Sequence, residues 1–417
     1  MGGSSQLAAT KTIVEDSLRA IVGPDHVSTG EHILVGPGTE SEVAAVLRYA
    51  NEQGLCVLPQ GNSTKADWGN SPSRTDIVLS TKRMNRILEH PWADLTVTAE
   101  AGCTIGNLQS ALAQHGQRLA IDPLWPERTT IGGLISTNDS GSLRLRFGSV
   151  RDLIIGVTLA LADGTLASSG GNVVKNVAGY DLPKLVTGAL GTLGVITRAV
   201  FRLHPLPQNR RTLTNVCSDI NHAQRLLLQI QDSKFAHTAL QLRTDSEARS
   251  AEIDILFEGT VAGLEAQEQQ LRKLASSSKI ETRSDDRWQV REALWSDANS
   301  AISKISILPS EIANAVQSLQ SITAANRCRW AAVFQAIGIG TLSLSSSDPH
   351  SLHSALTALR RHLENTGGSL VLLRRVQGLP AFDSWGTTGD AQALMSAVKQ
   401  QFDPKRILNP GRFVGGI

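Results

Sequence analysis

Apolar residues recur with two different periods in this sequence, and the switches between them outline its elements. Glu40 to Gly54, ESEVAAVLRYANEQG, sets Val43, Val46 and Leu47 on one helical face and stops on glycine. The short apolar run LCVL follows, as a buried strand. DIVLS (Asp76 to Ser80), LTVTAEAG (Leu95 to Gly102) and RLAID (Arg118 to Asp122) are further predicted strands. Thr104 to Gly116 has a threonine cap, helical spacing and a glycine stop. Ile155 to Ser168 is a predicted hairpin, with alternating apolar residues on either side of Asp163-Gly164. GVITRAVFRLHP closes this region at Pro205 and Pro207, a plausible boundary.

Beyond about Arg211 glycine thins out and the periods change. The order helix, strand, strand, helix is followed by strand, helix, strands, helix, strand. This predicts an α+β region of mostly antiparallel strands, and no sequence repeat decides whether it has two similar halves. The chain then ends in a helix and a proline-punctuated segment, AQALMSAVKQQFDPKRILNPGRF. The expected divisions are an N-terminal extension (1–29), a first domain (30–206), an α+β domain (207–380) and a returning C-terminal segment (381–417).

Composition narrows the choices. With 417 residues the chain is long enough for two or three domains. A net charge of +2 gives no field for nucleic acid or an anionic membrane. The N-terminus, MGGSSQLAATK, is no secretory signal, and no run approaches the roughly 18 apolar residues of a membrane helix. A cytoplasmic protein is expected, peripheral to a membrane only through partners. Cys56, Cys103, Cys217 and Cys328 lie far apart and make no C-x-x-C, which argues against a zinc or iron–sulfur site. No metal site is expected. Redox chemistry here therefore needs an organic cofactor or another subunit.

Glycine-rich stretches raise the question of a nucleotide. There is no P-loop, and Gly188, Gly191 and Gly194 do not have the Rossmann spacing. Three stretches suit another way of holding a pyrophosphate. In PQGNST, Pro59 stiffens the entry, Gly61 permits positive φ, successive N–H groups can form a nest, and Ser63 and Thr64 add hydroxyls. In TTIGGLISTNDSG, a threonine caps a helix and Gly132-Gly133 lets a ligand approach its N-terminus. GALGTLGVIT leaves room for a flat ring. Taken singly, PQGNST is a surface turn and TIGGLIS a tightly packed helix start. Together they favour one extended ligand.

PQGNST, TVTAEAGCTIGNLQSALAQHG, Asp122-Pro123, TIGGLISTNDSG, FGSVRDLIIGVTLALADG, GYDLPKLVTGALGTLGVIT and FDPKRILNPGRF occur in that order. This resembles the FAD-binding domain of the vanillyl-alcohol oxidase family, the PCMH-type flavoproteins, and within it the FAD-binding E-type subunits of bacterial glycolate oxidases. The resemblance covers residues 30 to 206 and the last 20 or so; the middle matches only in general character. It implies an α+β architecture: a PCMH-type FAD-binding domain of two α/β subdomains, with an α+β cap domain built on an antiparallel sheet. It implies FAD contacts from Pro59, Gln60, Gly61, Asn62, Ser63 and Thr64 at the pyrophosphate. Asp122 and Pro123 are expected near the flavin, and Thr130, Gly132, Gly133, Ser136 and Asn138 in a second cofactor loop. Arg146 and Gly148 follow beside it, Val195 and Ile196 on the adenine side, and Asn409 and Gly411 in the returning segment.

The activity implied is that of an FAD-dependent oxidoreductase acting on CH–OH, a glycolate oxidase (dehydrogenase) subunit. Its implied partners are an FAD-containing D-type subunit and an iron–sulfur F-type subunit, with electrons passed to a quinone-type acceptor. Two departures matter. PQGNST has neither the His nor the Cys used for covalent attachment, so FAD is expected to be non-covalent. The H-x-G-D-G-N-x-H stretch of relatives that oxidise 2-hydroxy acids is missing from the cap. That leaves open a non-catalytic relay or assembly subunit, as well as a stand-alone alcohol or hydroxy-acid oxidase.

Oxidation of a 2-hydroxy acid needs a cation for the carboxylate and a base for the hydroxyl proton. Arg374, Arg375 and Arg329 are the cap's candidate cations, although surface arginine is the favoured account of each. His204 and Tyr180 are candidate bases, with a boundary role and simple packing as their bland readings. Lys175 and Asn176 are placed near the flavin or in a plain loop. Asp152 and Asp181 are expected to fix loops. Trp288 and Trp295, seven apart, share a face if WQVREALW is helical, buried against the cap or a partner.

Overall fold

A computed structural model describes residues 2–171, 180–248, 250–276 and 278–417, with side chains from residue 11 onward. Lys175 and Asn176 lie outside the described residues. The first α/β subdomain is a four-stranded sheet in the order Val27–Thr29, Ile33–Val35, Ile77–Ser80, Val57–Gln60. Ile33–Val35 and Val57–Gln60 both run parallel to Ile77–Ser80. Parallel neighbours need a crossover, and helix Glu40–Gln53 supplies it. The Thr39 side chain accepts from Glu42 N at its start, and Gly54 ends it at φ 64°. The segment before residue 30 is no loose extension. Helix Gly2–Val22 sends Val14, Leu18 and Val22 into the same core as Val43, Val46 and Leu47.

The second subdomain is an antiparallel sheet in the order Ile87–Glu89, Thr96–Glu100, Val195–Arg202, Ile154–Ala160, Leu166–Gly170. Its hairpin turns at Gly164, φ 84°. Helices Ile105–Ala113 and Ile131–Thr137 bury Leu108, Leu134 and Ile135 against Val97, Ala99 and Phe201. Of RLAID only Arg118 is in a strand, Gln117–Arg118, which pairs with His204–Pro205. Leu119, Ala120 and Ile121 are buried in irregular backbone instead, so their burial comes from tertiary packing rather than a ladder.

The cap resolves the question of halves. Asn209–Cys217, Ile220–Gln231, His237–Asp245, Ala251–Gly259, Val261–Leu274 and Lys279–Arg283 form one β-α-β-β-α-β unit. Ala301–Ser306, Ile312–Ala325, Arg329–Gln335, Ile339–Ser345, Pro349–Asn365 and Ser369–Arg374 form another. The units join where His237–Asp245 pairs with Arg329–Gln335, giving one eight-stranded antiparallel sheet. The four long helices bury one sheet face in a continuous core. Strand alternation turns Ile302, Val371 and Leu373 to the other face, toward the first domain, where they meet Trp68, Leu124, Trp125 and Trp295. A bidentate Arg118–Glu258 ion pair, 2.8 and 2.6 Å, ties the two domains at the boundary.

Helix Gln392–Phe402 brings the chain back, and Leu408 bridges in parallel to Val57 at the edge of the first sheet. All four cysteines are buried and unpaired. No helix among the described residues is long and apolar enough to cross a membrane.

Candidate functional site

A cleft opens between the two subdomains. Its floor is the turn after strand Val57–Gln60. The Gln60 carbonyl is held by Thr81 N at 3.0 Å, which fixes where the turn begins. Ser63 sits in the left-handed region, φ 59°, and its hydroxyl donates to Gln60 Oε1. Asn62 reaches across to the Arg128 carbonyl at 2.9 Å. The backbone N–H groups of Gly61, Asn62, Ser63, Thr64 and Lys65 donate to no acceptor among the described residues. Five consecutive amides without a protein acceptor, in residues that line a cleft, are available as donors to a bound anion. Gly61 is required by the close approach of the two walls, since a Cβ there would lie 2.2 Å from Thr130 Oγ1.

The turn is braced from below. Lys65 is buried, donates to Thr129 Oγ1 at 2.7 Å and lies 3.5 Å from the Asp139 carboxylate. Burial pushes its ammonium below the usual lysine range, against the pull of Asp139. Arg412, from the C-terminal segment, donates to the carbonyls of Lys65, Ala66 and Trp68.

The opposite wall differs from the sequence reading. Thr130 does cap helix Ile131–Thr137, but the helix amides that were to face a ligand are already used. Ile131 N donates to Cys103 O, Gly132 N to Ala101 O, and Gly133 N to Thr130 Oγ1. Gly132 is small because Ala101 lies behind it, 3.1 Å from a notional Cβ. The helix therefore contributes a wall, with Gly133 and Ser136 along it, and not an anion-binding end. Val195, Ile196 and Leu58 also line the cleft.

The C-terminal end of the same helix opens on a second, smaller compartment between the first domain and the cap. Asn138, φ 48°, ends the helix there and its Oδ1 is buried without a hydrogen-bond partner. Asp139, fully enclosed, accepts from Leu124 N and pairs with Arg291 at 2.8 Å. Arg291 also donates to the carbonyls of Ser140 and Asp122, so this cap residue clasps three groups of the first domain. Arg291 and Lys65 hold the Asp139 carboxyl below the usual range despite its burial. Gln335 spends its amide N–H on Ser140 O and leaves Oε1 buried and unpaired. Arg144 and Lys304 line the compartment from opposite sides.

Of the expected cofactor residues, Pro59 through Thr64, Thr130, Gly132, Gly133, Ser136, Val195 and Ile196 line the cleft, and Asn138 the compartment. Asp122, Pro123, Arg146, Gly148 and Asn409 line neither. The Asp122 carboxyl accepts from Gly141 N and Leu143 N and shapes the turn behind Asn138. Burial pushes it up to about 6. Pro123 is packed beside it, while Arg146 is exposed. Gly148 turns at φ 82° against Asp152, and Asp152 completes a capping box with Ser149. Asn409 donates to Leu190 O at 2.7 Å, and Gly411 lies against Ser73. These two secure the returning segment.

The candidate cations and bases of the cap fall elsewhere. Arg374 is spent on the carbonyls of Trp295, Asp297 and Ser300, and Arg375 on Ser384 and Asn70. Arg329 is exposed. His204 packs edge-on to Phe147, and Tyr180 is 90% exposed. Asp181 caps helix Leu182–Val186. Trp288 and Trp295 do not share a helical face, because Trp288 lies in the 3₁₀ turn Asp285–Gln289 and Trp295 beyond the short helix Val290–Ala293. Trp288 bonds Thr212, whereas Trp295 stacks on Trp68 and meets Trp125 edge-on. Sequence reasoning missed Arg144, Arg291 and Lys304. Only Lys304 left a trace: it shares the i, i+2 face of Ile302 in strand Ala301–Ser306.

Residues 32–170 match the FAD binding domain family, and residues 386–413 the C-terminal domain of FAD linked oxidases. The chain is 28% identical to glycolate oxidase subunit GlcD of Bacillus subtilis over 415 residues, 91% of this chain and 88% of the relative. It is 27% identical to D-2-hydroxyglutarate dehydrogenase of Xanthomonas citri pv. viticola, over 90% of this chain and 88% of the relative. A solved p-cresol methylhydroxylase with substrate bound superposes with a TM-score of 0.79 at 15% identity, covering 96% of each chain, and shares the fold.

Proposed function

We propose that this chain, which belongs to the PCMH-type FAD-binding flavoproteins, serves a glycolate oxidase complex and acts on the CH–OH group of glycolate. FAD is its cofactor and oxidation of a hydroxy acid its class of reaction. Bound FAD supplies the hydride acceptor. Under this reading the amides of Gly61 to Lys65 hold the diphosphate, and Val195 and Ile196 border the adenine. The tract continues along helix Ile131–Thr137 toward Asn138. Cap and first domain then enclose the reacting end and exclude water.

One observation carries the reading. The amide-rich turn and the cation-lined compartment both border one short helix, Ile131–Thr137, so one ligand running along it can start at the first and present its far end to the second. Attachment is non-covalent in this proposal. The turn holds no nucleophile, and the Cys103 thiol is enclosed, bonded to Thr104 O and pushed up by burial to about 11. The iron–sulfur partner, the D-type flavin subunit and the quinone-type acceptor belong to the same proposal; the likeness to subunit GlcD supports only that the chain serves a multi-subunit complex.

The site also favours a second reading, that of a flavin-bearing relay for a partner's chemistry. The carboxylate lining the compartment, Asp139, is bound up with Arg291 and Lys65, and no histidine lines it among the described residues. An anaerobic spectrum of the purified chain separates the two. Acid-released FAD that glycolate bleaches supports oxidation by this chain. FAD that glycolate leaves oxidised assigns the chemistry to a partner. A preparation that cannot be loaded with FAD refutes both.

A further inference from the structure

We propose that the linker between the two cap units is a strap that closes the compartment, and that Asp139 latches it to the cofactor turn, so that FAD seated on the turn holds the strap shut; this rests on the placing of the FAD diphosphate at residues 61–65 above.

The strap, residues 284–300, joins the two β-α-β-β-α-β units. It holds the 3₁₀ turn Asp285–Gln289 and the short helix Val290–Ala293, and no residue of either is fully buried. A segment that adds nothing to an apolar core opens locally at far less cost than the whole fold. Both of its ends are fixed to the cap. Asp285 accepts from Thr212 Oγ1 at 2.8 Å and pairs with Arg210, and Arg374 donates to the carbonyls of Trp295 and Ser300. Its middle crosses to the first domain instead. Arg291 reaches Asp139, Ser140 O and Asp122 O, and Glu292 accepts from Trp125 N at 3.3 Å. Arg291 is part of the compartment wall, and Trp295 lies on Trp68, another wall residue. Lifting the middle while the ends stay in place therefore opens that wall.

The latch is shared with the cofactor turn. Asp139 stands between two cations from different elements: Oδ1 meets Arg291 at 2.8 Å, and Oδ2 lies 3.5 Å from Lys65 Nζ. Leu124 N donates to Oδ2 at 2.8 Å and fixes the carboxylate further. Lys65 Nζ is itself held by Thr129 Oγ1 at 2.7 Å, and the Lys65 and Asp139 side chains are only 3% and 2% exposed. The backbone N–H of the same Lys65 is the last of the five amides available in the cleft. A diphosphate on that amide thus fixes the residue whose side chain holds Asp139, and Asp139 presents its other oxygen to the strap. No ligand atom needs to touch the strap. Ordering the turn first removes part of the entropy cost of closing the strap, and by linkage a closed strap tightens FAD. Removing Arg291 leaves Asp139 neutralised by Lys65, so the strap can be released without stranding a buried charge.

The test is hydrogen–deuterium exchange of the full chain, loaded with FAD and after its removal, for wild type and Arg291→Met. Three sets of peptides are read: the turn (58–66), the strap (284–300) and helix Val261–Leu274, which packs on the other face of the cap sheet. In wild type FAD should slow exchange in turn and strap alike, the strap by at least about fivefold, the low end of coupling between sites, and leave the helix unchanged. In Arg291→Met the strap should exchange faster than in wild type and ignore FAD, while the turn still responds. FAD that protects the turn and not the strap would overturn the latch and leave the placing of FAD standing. FAD that protects neither would overturn both. A strap in Arg291→Met that responds as in wild type would also overturn the latch. So would a helix that responds as much as the strap, because the change is then global. Should Arg291→Met not fold, Glu292→Ala, which removes the contact with Trp125 N, takes its place. Its strap should exchange faster than that of wild type, and equal exchange would overturn the strap.

Discussion

Replacing Lys399 by methionine should unhook the C-terminal segment and destabilise the fold by about 3–5 kcal/mol, the usual cost of breaking a buried ion pair from one side. The side chains of Lys399 and Asp403 are both 0% exposed. The ammonium spends its three protons on Asp403 Oδ2 at 2.6 Å, Thr192 O at 2.8 Å and Leu408 O at 2.9 Å. Asp403 in turn accepts from Ile407 N and Leu408 N. Burial draws Lys399 below the ordinary lysine range while Asp403 pulls it back up, so charge and partner are matched in place. Methionine keeps the length but strands a buried carboxylate and two carbonyls. For a urea m-value of about 3 kcal/mol per molar, the midpoint should fall by roughly 1 M or more. FAD retention should fall with it, because the same segment carries Arg412, which holds the carbonyls of Lys65, Ala66 and Trp68 under the turn. Adding Asp403→Asn removes the stranded charge and should recover a good part of the loss, giving a favourable coupling in the double-mutant cycle. A Lys399→Met midpoint within a few tenths molar of wild type would refute the reasoning.

Gly61→Val should cost most of the bound FAD while leaving the melt of the cap unchanged, since its Cβ and branches would push into Thr130; the ratio of flavin to protein absorbance reads it. Asp122 sets a pH dependence. Its folded pKa is raised to about 6, so the folded state binds more protons than the unfolded one between about pH 4 and 6 and stability falls as pH rises through that window. The ionised carboxyl then costs about 3 kcal/mol above the window, and melts of Asp122→Asn should show a flatter profile there than wild type; parallel profiles would contradict this.

Much of the fold was legible in sequence because it rests on local rules. Glu40–Gln53 follows from one apolar stripe, a threonine cap and a glycine stop, and the hairpin at Gly164 from alternation around Asp-Gly. The polar turn was legible for the same reason, since Gly61 and its neighbours offer nothing apolar to bury, but the positive φ expected at Gly61 falls at Ser63, and Gly61 is required by its contact with Thr130. Arg118 to Asp122 was misread as a strand because an apolar run does not say whether a ladder or a packed loop hides it. Residues 129–133 do hold a capped helix, but whether its first amides are free depends on Cys103 and Ala101, some 30 residues away. The cap's cations show the limit most clearly. Arg374 and Lys304 look alike as basic residues in apolar strands, yet one is spent on loop carbonyls and the other faces a compartment. Sequence determines which face of its own strand a side chain takes, through the period of two. What lies opposite that face is set by how two domains meet, and that is long-range geometry with no local signature.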